Sequence, residues 1–299
     1  MNPTSCMKKL LPALLAVTVS AWCSLRLGAD SSFAPNHSLS WSSNLGWLDW
    51  SGDLDHGVHI DQFVCSGFIY SANVGCINLG NGLPANGMSY QNNSSSDFGV
   101  NVGPHGELTG FAYAANVGWI NFSPAGQPHL DLKTGTLGGY VYGANVGWIG
   151  LGDAANTLRI DFLDEGTDSD GDGIPDIWEL SHADNLGQLG SNHDLDGDGF
   201  SDLEEYLADT DPTDPTDNLR ILKFSISSDR SSVFISWSAR PTRQYVIQSK
   251  STLDPAEPWI DSGLGILSTE APSLSVEFSR PVTGIQQYYW IRAIRPLAN

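Results

Sequence analysis

Two stretches of the chain carry carboxylates at a spacing that suits a metal ion. Asp168-Ser-Asp170-Gly-Asp172-Gly173-Ile174-Pro-Asp176-Ile-Trp-Glu179 has acids at positions 1, 3, 5, 9 and 12 and glycine at 6. Asp194-Leu-Asp196-Gly-Asp198-Gly199-Phe200-Ser-Asp202-Leu-Glu-Glu205 repeats that register 26 residues later. A hard cation of calcium's size takes about six to eight oxygens at about 2.4 Å. A tight loop supplies them from positions 1, 3 and 5, the carbonyl of 7, position 9 directly or through water, and a bidentate Glu at 12. Glycine at 6 permits the sharp turn. The pattern predicts two Ca²⁺ sites. One is built from Asp168, Asp170, Asp172, Ile174, Asp176 and Glu179, the other from Asp194, Asp196, Asp198, Phe200, Asp202 and Glu205. Magnesium is the competing ion, but it prefers rigid octahedral sites that keep several waters. A solvated acidic linker explains neither the register nor the glycines.

The charge of the whole chain is concentrated there. Of 299 residues, 34 are Asp or Glu and 14 are Lys or Arg, a net charge of -20, and residues 164 to 217 hold -18 of it without one Lys or Arg. A disordered polyanion is excluded by 40% apolar content, with 10 Trp, 11 Phe and 9 Tyr. A pI near 4.4 argues against a nucleic-acid binder, which needs a basic face. The acidic segment therefore also marks domain boundaries.

Each loop runs into a short helix, Pro175 to His182 and Ser201 to Ala208, with no amphipathic helix entering from the N-terminal side. Pro175 at position 8 also departs from an EF-hand pair. The segment resembles the loop-helix calcium repeats of thrombospondin type 3 and dockerin modules, above all the bacterial Asp-x-Asp-Gly-Asp-Gly-x-x-Asp-x-x-Glu form followed by Thr-Asp-Pro. That tail, Asp209-Thr-Asp211-Pro-Thr-Asp214-Pro-Thr-Asp217, is Pro-rich and extended by composition.

Upstream, four copies of one heptad begin at Asn44, Asn73, Asn116 and Asn145, in the pattern Asn-Val-Gly-Trp-Ile-x-aromatic or Leu. A second block, Gly67-Phe-Ile-Tyr, Gly110-Phe-Ala-Tyr and Gly139-Tyr-Val-Tyr, precedes three of them. Alternating aromatics around an Asn-x-Gly corner predict β-hairpins, with Asn and Gly supplying positive φ at the turn. Short alternating stretches at Val58, Val100 and Leu130 predict a leading strand for each. The first hairpin lacks one, and Leu158-Arg-Ile-Asp-Phe162 is a leading strand without a hairpin, so the two are expected to complete one unit and close the array. The stretch from Gly80 to Asp97, rich in Asn, Gly and Ser, reads as an inserted loop. These repeats resemble a family of Asn-x-Gly-Trp-Ile β-repeats in secreted proteins of environmental bacteria, a resemblance that implies no defined activity. The aromatic stripe reads as core in preference to a sugar-stacking platform.

Residues 1 to 29 read as a signal peptide, with Lys8 and Lys9 before the apolar run Leu10 to Trp22, which is too short to span a bilayer. Cys65 and Cys76 are then the cysteines of the mature protein, either a disulfide or two small buried thiols. The last 80 or so residues hold β-rich runs at Ile221, Val233, Tyr245, Trp259, Leu274 and Tyr288. They resemble a fibronectin type III module of the kind that follows calcium repeats in secreted bacterial proteins.

No nucleophile elbow, His-Glu-x-x-His, phosphate loop or dinucleotide fingerprint occurs. His56 and His59 beside Asp53 and Asp55 form only a loose cluster. The expected fold is mainly β, in four parts: signal peptide 1–29, β-repeat domain 30–163, calcium-binding loop-helix repeats 164–217 and β-sandwich 218–299. The expected role is that of a secreted or cell-surface, calcium-binding structural or adhesive protein without catalytic activity. The alternative is a carbohydrate-binding protein or an accessory module of a secreted hydrolase. Its partner would be a surface protein or a glycan, with no nucleic acid and no membrane span.

Overall fold

The fold comes from a computed structural model, which describes residues 31–52, 56–152, 157–263, 265–269, 273–281 and 287–297. The expected signal peptide and the pair Asp53 and Asp55 lie outside the described residues. The chain divides into two compact units, one up to Asp164 and one from Glu165 on. It is mainly β, as its patterning predicts.

In the first unit the four heptads build four hairpins: Leu39–Ser42 with Gly46–Asp49 (β1, β2), Cys65–Ser71 with Gly75–Asn81 (β4, β5), Leu108–Ala114 with Gly118–Phe122 (β7, β8), and Tyr140–Gly143 with Gly147–Gly150 (β11, β12). They join in chain order into one nearly closed antiparallel sheet. The third heptad position takes positive φ in every copy, at Gly46, Gly75, Gly118 and Gly147, with values of 73° to 87°. The corner asparagines do not share that conformation, contrary to expectation. Their amides instead tie each corner to the one before. Asn73 Nδ2 donates to Leu45 O at 2.9 Å, Asn116 to Val74 O at 3.1 Å, Asn145 to Val117 O at 2.9 Å, and Asn44 to Val146 O at 2.9 Å. The last bond runs from first hairpin to fourth, so the ladder is circular.

Leading strands form a second tier. His59–Ile60 (β3) pairs β4, Val100–Val102 (β6) pairs β7, and His129–Leu130 (β9) pairs Leu137–Gly138 (β10). The orphan stretch at Leu158 closes this tier too. Arg159 bridges Thr136 on one side, while Ile160 bridges Phe33 on the other, and Ala34 N donates to Arg159 O at 2.8 Å. The chain's late strand thus completes its first hairpin, as expected.

The ring interior is filled by heptad positions five and seven. Leu48, Ile77, Ile120 and Ile149, with Trp50, Leu79, Phe122 and Leu151, are each at most 2% exposed. The aromatic stripe does not lie there. Trp41, Trp47, Tyr113, Trp119, Tyr140, Tyr142 and Trp148 are 39% to 55% exposed, which corrects the expectation that they are core. Period two allows either face to be buried. A small ring accepts Ser40, Ile69, Ala112 and Val141 inward from the partner strands and leaves the larger rings outside. Cys65 is a free, buried thiol, so it makes no bridge to Cys76. His59 Nδ1 lies 3.0 Å from Asp164 Oδ2, which accounts for one member of the loose histidine cluster.

In the second unit two seven-residue helices, Asp176–His182 (α1) and Asp202–Ala208 (α2), precede seven strands. Ile221–Ile226 (β13), Ser232–Ser238 (β14) and Ser275–Pro281 (β18) form one sheet, in the order β13-β14-β18. Gln244–Lys250 (β15), Ile260–Asp261 (β16), Leu267–Ser268 (β17) and Tyr288–Ile294 (β19) form the other, with β15 pairing all three. Val233, Ile235 and Trp237 from the first sheet and Tyr245, Ile247, Ile291 and Ala293 from the second share one core, so this part is a sandwich. Ala208 of α2 belongs to the same core.

Candidate metal centre

The two acidic loops fold alike because Asp at position 1 organises the turn. Asp168 accepts from Gly171 N at 2.7 Å and Gly173 N at 3.0 Å. Asp194 accepts from Gly197 N at 2.8 Å and Gly199 N at 3.0 Å. Position 5 closes the next step: Asp172 accepts from Ile174 N and Asp198 from Phe200 N, both at 2.8 Å. These three acceptor bonds at each loop curl the chain so that positions 1, 3 and 5 converge. Carboxylate oxygens of Asp168, Asp170 and Asp172 lie within 4.8 Å of one another, as do those of Asp194, Asp196 and Asp198.

Position 12 arrives from the first turn of the following helix. Glu179 on α1 is 0% exposed and Glu205 on α2 is 1% exposed. Acids in a first helical turn are favoured by the helix dipole, but full burial of a carboxylate is not. Both oxygens of Glu179, and Oε2 of Glu205, are buried with no hydrogen-bond partner among the described residues. Asp172 Oδ2 and Asp196 Oδ2 are in the same condition. A buried, unpartnered carboxylate costs several kcal/mol, more than any surface ion pair returns. The electrostatics agree. Burial, then repulsion from Asp172 and Asp170, pushes Glu179 up to about 8. Burial, then repulsion from Asp196 and Asp198, does the same to Glu205, up to about 8. Asp170 and Asp196 are also raised, first by desolvation. A donor set made of oxygens alone, mutually repelling and backed by a buried Glu in each loop, fits a hard cation.

Position 9 is used differently from the triads. Asp176 accepts from Ser169 N at 2.7 Å and Ser169 Oγ at 2.6 Å. Asp202, fully buried, accepts from Leu195 N at 3.0 Å and Gly190 N at 2.9 Å. Both carboxylates brace the start of their loops from the side. Ile174 is buried and Phe200 half-buried at position 7, each with its amide held by position 5.

Aromatic packing joins the two helices, Trp178 lying 5.4 Å from Tyr206 between ring centroids. The second helix is further secured at both ends. Ser201 and Glu204 form a reciprocal capping box at its start. At its end Arg243, 4% exposed, donates from Nε to Leu207 O and from a guanidinium N–H to Tyr206 O, both at 2.9 Å. Arg240 donates to Asp209 O and pairs with Asp217, while Arg295 reaches the Tyr206 hydroxyl at 2.6 Å. Asn218 Nδ2 reaches Asp198 Oδ2 of the second loop at 2.8 Å. These fastenings were not anticipated from the sequence. The signal for them was the basic excess of residues 218 to 299, 9 bases against 6 acids, directly after an acidic segment.

A family model for the bacterial TSP3 repeat matches residues 168–182 and 194–215. The match coincides with the two loops, their helices and most of the Thr-Asp-Pro tail. TSP3 repeats bind calcium, are structural and are typical of extracellular proteins. No curated protein and no solved structure matches the chain. Among the described residues no helix is long and apolar enough to cross a membrane.

Proposed function

We propose that the protein is a secreted or cell-surface structural or adhesive protein without catalytic activity, whose central segment is stiffened by two calcium ions. The buried, unpartnered oxygens of Glu179 and Glu205 carry this reading, since each needs a positive partner that no described side chain supplies. Asp168, Asp170, Asp172, the Ile174 carbonyl and Glu179 would hold one ion. Asp194, Asp196, Asp198, the Phe200 carbonyl and Glu205 would hold the other. Asp176 and Asp202 keep their loops in shape and belong to the sites through that bracing. The ions do no chemistry here; each neutralises a carboxylate cluster and thereby joins a loop to its helix.

The anchoring of α2 gives such ions a mechanical role. Calcium at the second loop would connect Asp194 to Glu205, and Arg243 connects the same helix to the sandwich. Millimolar extracellular calcium is enough to occupy modules with Kd of about 10⁻⁴ to 10⁻³ M, so the ions would act as constant stiffeners and not as a signal. The sandwich, read as fibronectin type III-like, would be the part held in position. Calorimetric titration of the chelated protein with Ca²⁺ tests this. Two sites are expected, one lost in Asp170→Ala and the other in Asp196→Ala, and absence of heat in the wild type would refute the proposal.

A further inference from the structure

The four hairpins of the ring repeat not only in sequence but in what they present outward. Sixth heptad positions face a large apolar residue of their own hairpin and an aromatic of the next. Asp49 pairs with Leu39 and Tyr70, Asn78 with Phe68 and Tyr113, and Asn121 with Phe111 and Tyr142. The fourth copy breaks the pattern. Gly150 stands opposite Tyr140 where the others have Asp or Asn, at the seam where the last hairpin meets the first. With no side chain at Gly150, a groove of about 310 Å³ opens between Tyr140 and Trp148 on one side and Trp41 on the other. Its described lining is three aromatic residues, three serines and two glycines, with no charged and no aliphatic side chain.

From this geometry we infer that the seam groove binds a neutral carbohydrate chain. Trp41, Tyr140 and Trp148 are 47%, 55% and 52% exposed, so their ring faces are open to a ligand. An aromatic face is negative and its edge positive, so it attracts the polarised C–H bonds of a pyranose face. The sugar's hydroxyl edge then meets the hydroxyl of exposed Ser43, since Ser40 and Ser42 turn into the ring. An anionic or cationic ligand would find no counter-charge among the described lining residues. The volume falls in the range of small-ligand sites, about 300 to 1,000 Å³. This site lies in the first unit and does not depend on the calcium reading.

Gly150 provides the test. Its backbone lies outside the positive-φ region, and a Cβ there would meet the Tyr140 ring at 3.6 Å, an ordinary contact. Gly150→Asn therefore restores the residue of the second and third copies and fills the groove without straining the fold. Trp148→Ala removes one ring. Trp119→Ala is the control, because that ring lines a separate groove with Phe98 and Phe111, and a loss of binding there would place the sugar away from the seam. The intact chain is titrated, by tryptophan fluorescence, with neutral hexasaccharides of β-1,4-glucan, β-1,3-glucan, β-1,4-mannan and chitin type, and with an oligogalacturonide as the anionic control. At least one neutral hexasaccharide is expected to bind saturably. Gly150→Asn and Trp148→Ala should each weaken it about tenfold or more, while Trp119→Ala, or chelation of calcium, leaves it unchanged. No saturable binding at millimolar concentration, equal binding of the oligogalacturonide, or equal loss in Trp119→Ala would overturn the inference. So would sedimentation as a dimer that Gly150→Asn returns to monomer, since the groove would then seat a second copy.

Discussion

The β ring and the acidic loops both repeat a short motif, yet their polar groups are satisfied in opposite ways. In the ring each repeated asparagine donates to a carbonyl of the neighbouring copy, and the circle from Asn44 to Val146 leaves no copy without a partner. In the loops the repeated groups are carboxylates, which when ionised only accept. Backbone amides satisfy position 1, but no second carboxylate can satisfy Glu179 or Glu205. A motif that carries donors and acceptors can close on itself. One that carries acceptors alone needs a donor or a cation from outside.

The contrast can be broken most directly by removing calcium. Chelation should destabilise the second unit by about 2.7 kcal/mol per site relative to calcium at one hundred times Kd, and leave the ring's transition in place by scanning calorimetry. A ring transition that moves with the loops would erase the distinction. Arg243→Met comes next. It strips the buried donor from the Tyr206 and Leu207 carbonyls and from Asp209, and should cost the second unit about 3 kcal/mol with or without calcium.

A smaller effect follows from pH. Glu179 and Glu205 stand near 8 in the folded, metal-free chain against an ordinary 4.5. Their folded form therefore holds more protons than the unfolded form between those values. Their stabilising contribution is complete below 4.5 and is lost as pH rises through 8. Chelated protein should lose stability on going from pH 5 to pH 8, and calcium should flatten or reverse that slope by favouring the ionised carboxylates. Denaturant midpoints across that range check it. The smallest effect expected is that of Asn116→Ala, about 1 kcal/mol from the ring alone and insensitive to calcium, because it deletes one hydrogen bond at an exposed corner.

How much of this was legible beforehand depends on whether a contact recurs. The loops, α1 and α2, the hairpins and the closing role of Leu158 to Phe162 all show in the sequence, because spacing and periodicity encode them. Arg240, Arg243 and Arg295 do not, because each is a single long-range contact with no period to reveal it. The asparagines were visible, but a turn preference concealed their lateral bond. Alternation marked the aromatics, yet the choice of face rests on the small bore of the ring, a property of the closed fold. Gly150 read as a variable position until the seam placed it between Tyr140 and Trp41.

The central claim is that calcium holds the loops and not the ring. Hydrogen exchange of the intact chain, followed by mass spectrometry with calcium and after chelation, addresses both halves in one sample. Amides of residues 168 to 179 and 194 to 205 should lose protection on chelation, with those of the four hairpins unchanged. Loop amides equally protected in both states, or hairpin amides released along with them, would contradict the account.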